Sequence, residues 1–399
     1  MRVLAVTHEA TYTGAPMNLL HLVTHLRTQV DPKPDVTVLV LRDGPLRHEF
    51  ERVCDVVVAD GGGAASALAF AQQSLLHLGS SRAWKPIAQL RFAPQLRRLG
   101  GFDIVYLNSL ASVEVVPYLP PARLVVSHVH ELEVAFRTSP PHLVTLLKER
   151  PDLWIAASSA VQRMLCDEAG LPPDRIALHH EFIDTAAIRN RTVTLREIER
   201  RRQQYRIPAD AAIVMGAGTI DWRKGPDLFI QVANEVRRRS RDLVHFVWVG
   251  GDLRGLDMAR LRSDLDRSGA DHVHFVGTQP DPWPWFATAD VFALTSREDP
   301  YPLVALEHAA MGHPIVAYET GGIAELLRPA GAAAAAGICG HLDVGAMAAQ
   351  IRRLLDSDDL RVRVGEQLRE RVVTTHDVTI AAPLLWAKLR ESLDARESS

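Results

Sequence analysis

Two carboxylates eight residues apart mark the most telling stretch of the chain. They are Asp299 and Glu307 in SREDPYPLVALEHAA, with Glu298 beside the first. Glu307 falls in a run from Leu303 to about Met311 that is apolar nearly all round and reads as a buried helix. A charge there needs a partner. Asp299 lies in the polar loop after Val291-Phe292-Ala293-Leu294, an apolar run typical of a strand buried on both faces. Loops at the carboxyl ends of such strands are where open α/β sheets hold their ligands. The amides at the helix start, Leu303 and Val304, and around Gly321-Gly322 read as open donors with a positive dipole, suited to an anion. Two acids beside an anion site fit a ligand carrying hydroxyls and phosphate, such as a nucleotide sugar. A structural acid satisfied by an arginine is the plainer alternative for Glu307.

Three further groups could do chemistry. Arg223-Lys224, between an apolar strand starting at Ile213 and a helix opening at Pro226, offers a guanidinium fork and an ammonium point charge for a pyrophosphate. His128, His130 and Glu131 follow the strand Leu124-Val125-Val126, and Asn108 ends the strand Ile104 to Leu107. Histidine at a strand end can donate to a sugar hydroxyl or a phosphate. The HxHE spacing alone shows no third ligand and makes no metal site. Gly14 sits in the first strand-to-helix turn, where a ligand can approach the backbone closely. The GxGxxG fingerprint of dinucleotide enzymes is absent there, which disfavours a dehydrogenase.

The elements that position these residues alternate strand and helix, the pattern of parallel α/β domains. Further strands are expected at Val3 to Val6, Val36 to Leu41, Val56 to Ala59, Trp154 to Ala157, His245 to Gly251, Val273 to Gly277 and Ile315 to Tyr318. The charged stretch Thr192 to Tyr205 reads as an exposed helix, 344–372 as two helices, and the tail after Val378 as a last helix. The fold class is α/β, with a domain boundary near residue 190.

SREDPYPLVALEHAAMGHPIVAYETGGIAEL resembles the carboxylate-x7-carboxylate signature of family 4 retaining glycosyltransferases, with Asp299 where the first acid is usually Glu. HEATYTGAP, residues 8–16, resembles the first loop of a subset of that family. The resemblance implies a GT-B architecture, two Rossmann-like doubly wound parallel-sheet domains facing a central cleft. It places an acceptor-side domain at 1–190, with the helix of about 378–399 packing back on it, and a donor domain at 191–377. It implies donor contacts at Glu307 (ribose), Leu303, Val304, Gly321 and Gly322 (phosphate amides) and Gly14, and sugar contacts at Asp299 or Glu298. Arg223 and Lys224 would hold the diphosphate and stabilise the leaving group, and His130 would contact the donor sugar. His128, Asn108 and Glu9 fall to the acceptor side. The activity implied is metal-independent, retaining, hexosyltransferase-type transfer from a nucleoside-diphosphate sugar to an acceptor hydroxyl on a lipid, a polysaccharide or a small metabolite. No cofactor is expected.

Composition bounds these readings. The 399 residues suffice for two or three domains, and 47% hydrophobic with 23% charged residues is ordinary for a globular protein. A net charge of −3 argues against nucleic acid as a partner. Three scattered cysteines, Cys54, Cys166 and Cys339, suit a reducing cytoplasm. Residues 82–98 hold Arg82, Lys85, Arg91, Arg97 and Arg98 without an acid, interleaved with apolar residues. Such a segment suits peripheral contact with the inner membrane face or an anionic acceptor, and equally a solvated helix face. A glycoside hydrolase would need its two carboxyls roughly 5–9.5 Å apart, whereas eight residues at helical rise span ~12 Å. A nonhydrolysing nucleotide-sugar epimerase and a catalytically inactive nucleotide-sugar-binding regulator remain as alternatives.

Overall fold

The structure is a computed structural model describing residues 1–59, 81–239 and 243–397. The chain divides into two compact units, Met1–Phe182 with Val378–Ser399, and Ile183–Asp377. Each unit is built on a fully parallel sheet.

The first unit has seven strands: β1 (Arg2–Thr7), β2 (Asp35–Val40), β3 (Asp55–Val58), β4 (Phe102–Asn108), β5 (Ala122–Val129), β6 (Leu153–Ala156) and β7 (Ile176–Leu178). They lie in the order β3-β2-β1-β4-β5-β6-β7. The second has six: β8 (Ala212–Ala217), β9 (Val244–Val249), β10 (Val273–Gly277), β11 (Val291–Leu294), β12 (Ile315–Tyr318) and β13 (Ile338–Cys339), in the order β10-β9-β8-β11-β12-β13. Both orders run outward from the first strand and then restart on its other side, the doubly wound topology. Parallel strands are covered on both faces, which is why β11 (VFAL) and β12 (IVAY) are unbroken apolar runs with every residue buried. β7 and β13, three and two residues long, are the strands that the sequence pattern did not show.

In each sheet the reversal point lies between two paired strands, β1 with β4 and β8 with β11. The loops leaving their carboxyl ends therefore diverge to opposite faces and leave a crevice. Loops 8–13 and 109–110 flank it in the first unit; loops 218–225 and 295–302 flank it in the second.

The last helix, Val378–Glu397, belongs to the first unit. Ala381, Ala382, Leu385, Trp386, Leu389 and Leu393 line one face of it and are buried with Leu19, Leu22, Val23 and Leu26 of the helix Gly14–Thr28 in the core under β1. The break between units lies at 182/183, eight residues before the expected position near 190. Thr185–Arg189 forms a short helix packed on the helix Leu303–Ala310, so it goes with the second unit. Ile183 bonds the His376 carbonyl at 2.9 Å, and Asp377 takes both the amide and the hydroxyl of Thr185. These bonds pair the two ends of the second unit.

Of the basic segment at 82–98, the side chains of Arg82 and Lys85 lie outside the described residues. Arg91 is buried, donates to the Leu41 carbonyl at 3.1 Å and lies 3.8 Å from Glu114. It therefore contributes nothing to a basic surface; Arg97 and Arg98 are exposed. No described helix is long and apolar enough to cross a membrane. Truncating a fully buried leucine removes its transfer free energy and leaves a cavity. Leu385→Ala should therefore destabilise the first unit by about 3 kcal/mol, read as a lowered urea midpoint; an unchanged midpoint would show that this helix does not hold that core.

Candidate functional site

In the second unit the site is assembled by three loops stitched to one another. After β8 the chain turns through Gly218 (φ 143°), runs to Arg223-Lys224, and turns again at Gly225 (φ 67°) into the helix Pro226–Arg239. Gly225 is required for space as well as conformation, because a Cβ there would sit 2.2 Å from the Thr295 carbonyl oxygen. That contact brings the β8 loop against the β11 loop. Thr295 Oγ1 donates to the Gly225 carbonyl at 3.0 Å, and the Arg297 amide donates to the Arg223 carbonyl at 2.7 Å. The third loop joins through Thr320 Oγ1 to the Arg297 carbonyl at 2.8 Å and the Gly322 amide to the Pro300 carbonyl at 2.9 Å.

Charge in this cluster is arranged in two pairs. Lys224 Nζ donates to Asp299 Oδ2 at 2.6 Å, with the side chains only 14% and 4% exposed, and Ser296 Oγ donates to the same oxygen at 3.2 Å. Arg297 grips Asp227 with both arms of its guanidinium, at 2.8 and 2.6 Å, and also donates to the Trp222 carbonyl. Arg223, one residue from Lys224, is half-buried, and among the described residues no acid or carbonyl takes its guanidinium. Arg223 is thus the cation that this cluster leaves for a ligand.

Glu307 lies five residues into the helix Leu303–Ala310, whose first turn has no side-chain cap, so the Leu303 and Val304 amides are available. The Gly322 amide, expected to be open, is instead spent on Pro300, because the β12 loop must be tied to the β11 loop. Gly321 takes φ 52°, the conformation that the turn imposes. Glu307 keeps an accessible edge yet is packed round by protein. Burial pushes its carboxyl up to about 7, and the nearby Arg191 charge pulls only partly against that. Arg191 itself lies over the Trp283 ring, 4.7 Å from its centre. Folding therefore loses stability as pH rises from about 4.5, where the unfolded carboxyl ionises, to about 7, where the folded one does. A ligand hydroxyl donating to the carboxylate would offset that loss.

In the first unit the polar residues gather at the β1, β4 and β5 ends. Asn108 is buried and fixed: its Nδ2 donates to the Ala15 carbonyl at 2.9 Å, which turns Oδ1 toward His130 Nε2 at 3.0 Å. The other ring nitrogen, Nδ1, faces Glu181 Oε1. With an amide oxygen on one side and a carboxylate on the other, His130 must donate from both nitrogens, which makes it an imidazolium. Burial opposes that charge, but Glu181, by charge and hydrogen bond, and Glu131 outweigh it, and the His130 pKa is raised.

His128 lies behind His130, ring centres 4.0 Å apart, fully buried, and shares a 2.5 Å hydrogen bond with the Tyr106 hydroxyl. Burial first, then the charges of His130 and His179, hold its pKa well below the usual value, so it is neutral. Glu9 accepts from Thr11 Oγ1 at 2.7 Å and lies 3.7 Å from both His8 and Arg42. Gly14 begins the first helix, and a Cβ there would meet nothing within 4 Å, so protein packing does not require the glycine.

Glu181 is the residue that sequence reasoning missed. It lies in HHEFID, 51 residues beyond His130, and no spacing rule links the two; its burial amid hydrogen-bonding groups is visible only in the fold. It also supplies the third donor absent from the HxHE spacing, since His128, His130 and Glu181 each place one ligand atom within 4.8 Å of the others. Both His130 nitrogens are already engaged, however, so the trio stands here as a proton-linked cluster.

Residues 211–357 match the family described as Glycosyl transferases group 1. The chain is 34% identical over 131 residues to the D-inositol 3-phosphate glycosyltransferase of Arthrobacter sp. (strain FB24), covering 32% of this chain and 31% of that protein. It is 31% identical over 187 residues to the lipopolysaccharide core biosynthesis glycosyltransferase LpsE of Rhizobium meliloti (strain 1021), covering 47% and 52%. The matched segments thus span about a third and about half of these relatives' lengths. Among solved structures, Anabaena Alr3699/HepE in complex with UDP-glucose superposes with a TM-score of 0.74 at 19% identity, over 98% of this chain and all of that one. The chain carries a glycosyl transferases group 1 domain of the family 4 kind, on a GT-B fold of two Rossmann-like parallel-sheet units.

Proposed function

We propose that the chain transfers a sugar from a nucleoside-diphosphate sugar to an acceptor hydroxyl, with retention of anomeric configuration. The observation that carries this reading is the Arg223-Lys224 dipeptide at the switch point of the second sheet, bonded into the loop that bears Asp299 and leads to Glu307. The UDP-glucose in the HepE structure supports the donor class, and the names of the relatives, which speak of an inositol phosphate and of a lipopolysaccharide core, support glycosyl transfer. They point to no single acceptor.

In this reading the ribose hydroxyls donate to Glu307. Arg223, Lys224 and the Leu303 and Val304 amides hold the diphosphate, while Asp299, with Glu298 beside it, accepts from the sugar. Transfer breaks the bond from the anomeric carbon to the phosphate oxygen and forms one to the acceptor oxygen; the acceptor proton leaves with the diphosphate. The negative charge that develops on the leaving group is met by fixed cations and helix amides, which need no reorganisation when the bond breaks. No metal is invoked, because Arg223 and Lys224 supply the positive charge. On the first unit, the His130 imidazolium, held by Glu181 and Asn108, is a donor suited to a sugar hydroxyl, and Glu9 an acceptor suited to another hydroxyl.

Incubation with UDP-, ADP- and GDP-glucose and an acceptor panel, followed by NMR of the first product formed, should give a product with the donor's anomeric configuration. Arg223→Ala should lower kcat about 100-fold; an inverted product, or full activity in this variant, would overturn the reading. Only the Glu307 carboxylate accepts from both ribose hydroxyls. Donor affinity should therefore rise from pH 6 to 8, levelling above about 7, and Glu307→Gln should bind weakly at every pH; a pH-dependence retained in that variant would remove Glu307 from the ribose. In Glu181→Gln, burial acts on His130 with much less opposition, so the pH limb of kcat/KM should move to lower pH, with partial recovery in Glu181→Asp. An unmoved limb would show that Glu181 does not hold the charge on His130.

A further inference from the structure

The Lys224–Asp299 bond raises a question that the donor reading leaves open, because the ammonium meant for a diphosphate is already occupied. Asp299 is buried and Lys224 largely so, and Asp299 has one other described donor, the neutral Ser296 hydroxyl at 3.2 Å. The neighbouring guanidinium of Arg297 is committed to Asp227 through both arms and is not available to replace Lys224. The neighbouring residue Glu298 is buried as well. The stem of Lys224 lies across Gly218, whose Cβ, if present, would be 3.2 Å from Lys224 Cγ and Cδ, and its amide is fixed to Asp221 at 3.0 Å. Its ammonium group is therefore the part left to move.

We propose that this pair sorts intact donor from spent nucleotide. A diphosphate reaching Lys224 must draw the ammonium away from Asp299, and breaking a buried pair leaves an uncompensated charge. A nucleoside diphosphate alone leaves that charge unanswered and brings more negative charge beside it. A nucleotide sugar answers it, because its sugar hydroxyls donate to the freed carboxylate. Asp299 thereby penalises the product more than the substrate, which favours product release. The inference rests on the donor reading above and adds a specificity role to Asp299 that operates before any bond is broken.

Calorimetric titration of wild-type protein and Asp299→Asn with UDP, ADP and GDP, each paired with its glucose form, tests this. The wild type should bind the sugar form more tightly than the bare diphosphate. In Asp299→Asn the bare diphosphate should bind about tenfold tighter, equivalent to 1.4 kcal/mol, while the sugar form gains nothing, so the preference collapses and product inhibition strengthens. Ser296→Ala, which removes the other donor to Asp299, should widen the preference, and it gives an independent readout if Asp299→Asn does not fold. If a nucleotide pair binds the wild type but the ratio is unchanged in both variants, the sorting role is overturned and the donor reading stands. If none of the three pairs binds the wild type, the donor reading itself fails and takes this inference with it.

Discussion

The second unit depends on one constraint: at the carboxyl ends of β8 and β11 the Lys224–Asp299 pair is almost wholly enclosed and the Arg297–Asp227 pair partly so, and each of these charges must meet a partner. Burying an ion is expensive unless a partner and further hydrogen bonds satisfy it. Lys224 meets Asp299, Arg297 meets Asp227, Thr295 adds a neutral bond between the same loops, and Ser296 bonds Asp299 within the β11 loop. Those bonds fix the loops to each other and so fix where Arg223 stands. The site is therefore held by its own electrostatics as much as by the sheet beneath it.

The first unit solves a related problem differently. At its strand ends the buried cation is the His130 imidazolium, and of the acids that compensate it Glu131 is the next residue while Glu181 comes from 51 residues further along the chain. Asn108 acts as a hinge pin between them, holding the start of the first helix through Ala15 and His130 through its other end. A neutral His128 fills the space behind. Stacking a second positive ring there would repel the first, and burial keeps it uncharged.

Glu307 differs from Asp299 and Asp227 because no described cation bonds it directly. Arg191 acts on it only through space and is itself engaged over Trp283. A carboxyl raised to about 7 by burial is poised to respond to a ligand hydroxyl, whereas Asp299, already paired, must first be released. In the proposed donor site the two acids of one short motif would thus enter binding by opposite routes, one gaining charge and the other giving up a partner.

The sequence by itself determined the parallel α/β class, the strand at almost every interior position and the spacing of Asp299, Glu307, Arg223 and Lys224. Buried parallel strands need unbroken apolar runs, and glycine and proline punctuate the turns after them, so those features are written locally. It did not show β7 and β13, too short to carry a period, nor the break at 182/183, which depends on a helix finding its partner 120 residues later. Which charge meets which was decided by tertiary structure alone. The pairing of Lys224 with Asp299, the use of the Gly322 amide by Pro300, the burial of Arg91 and the arrival of Glu181 at His130 all join residues distant in sequence. Such contacts follow from how sheet order brings loop ends together, and no local pattern of residue types records that order.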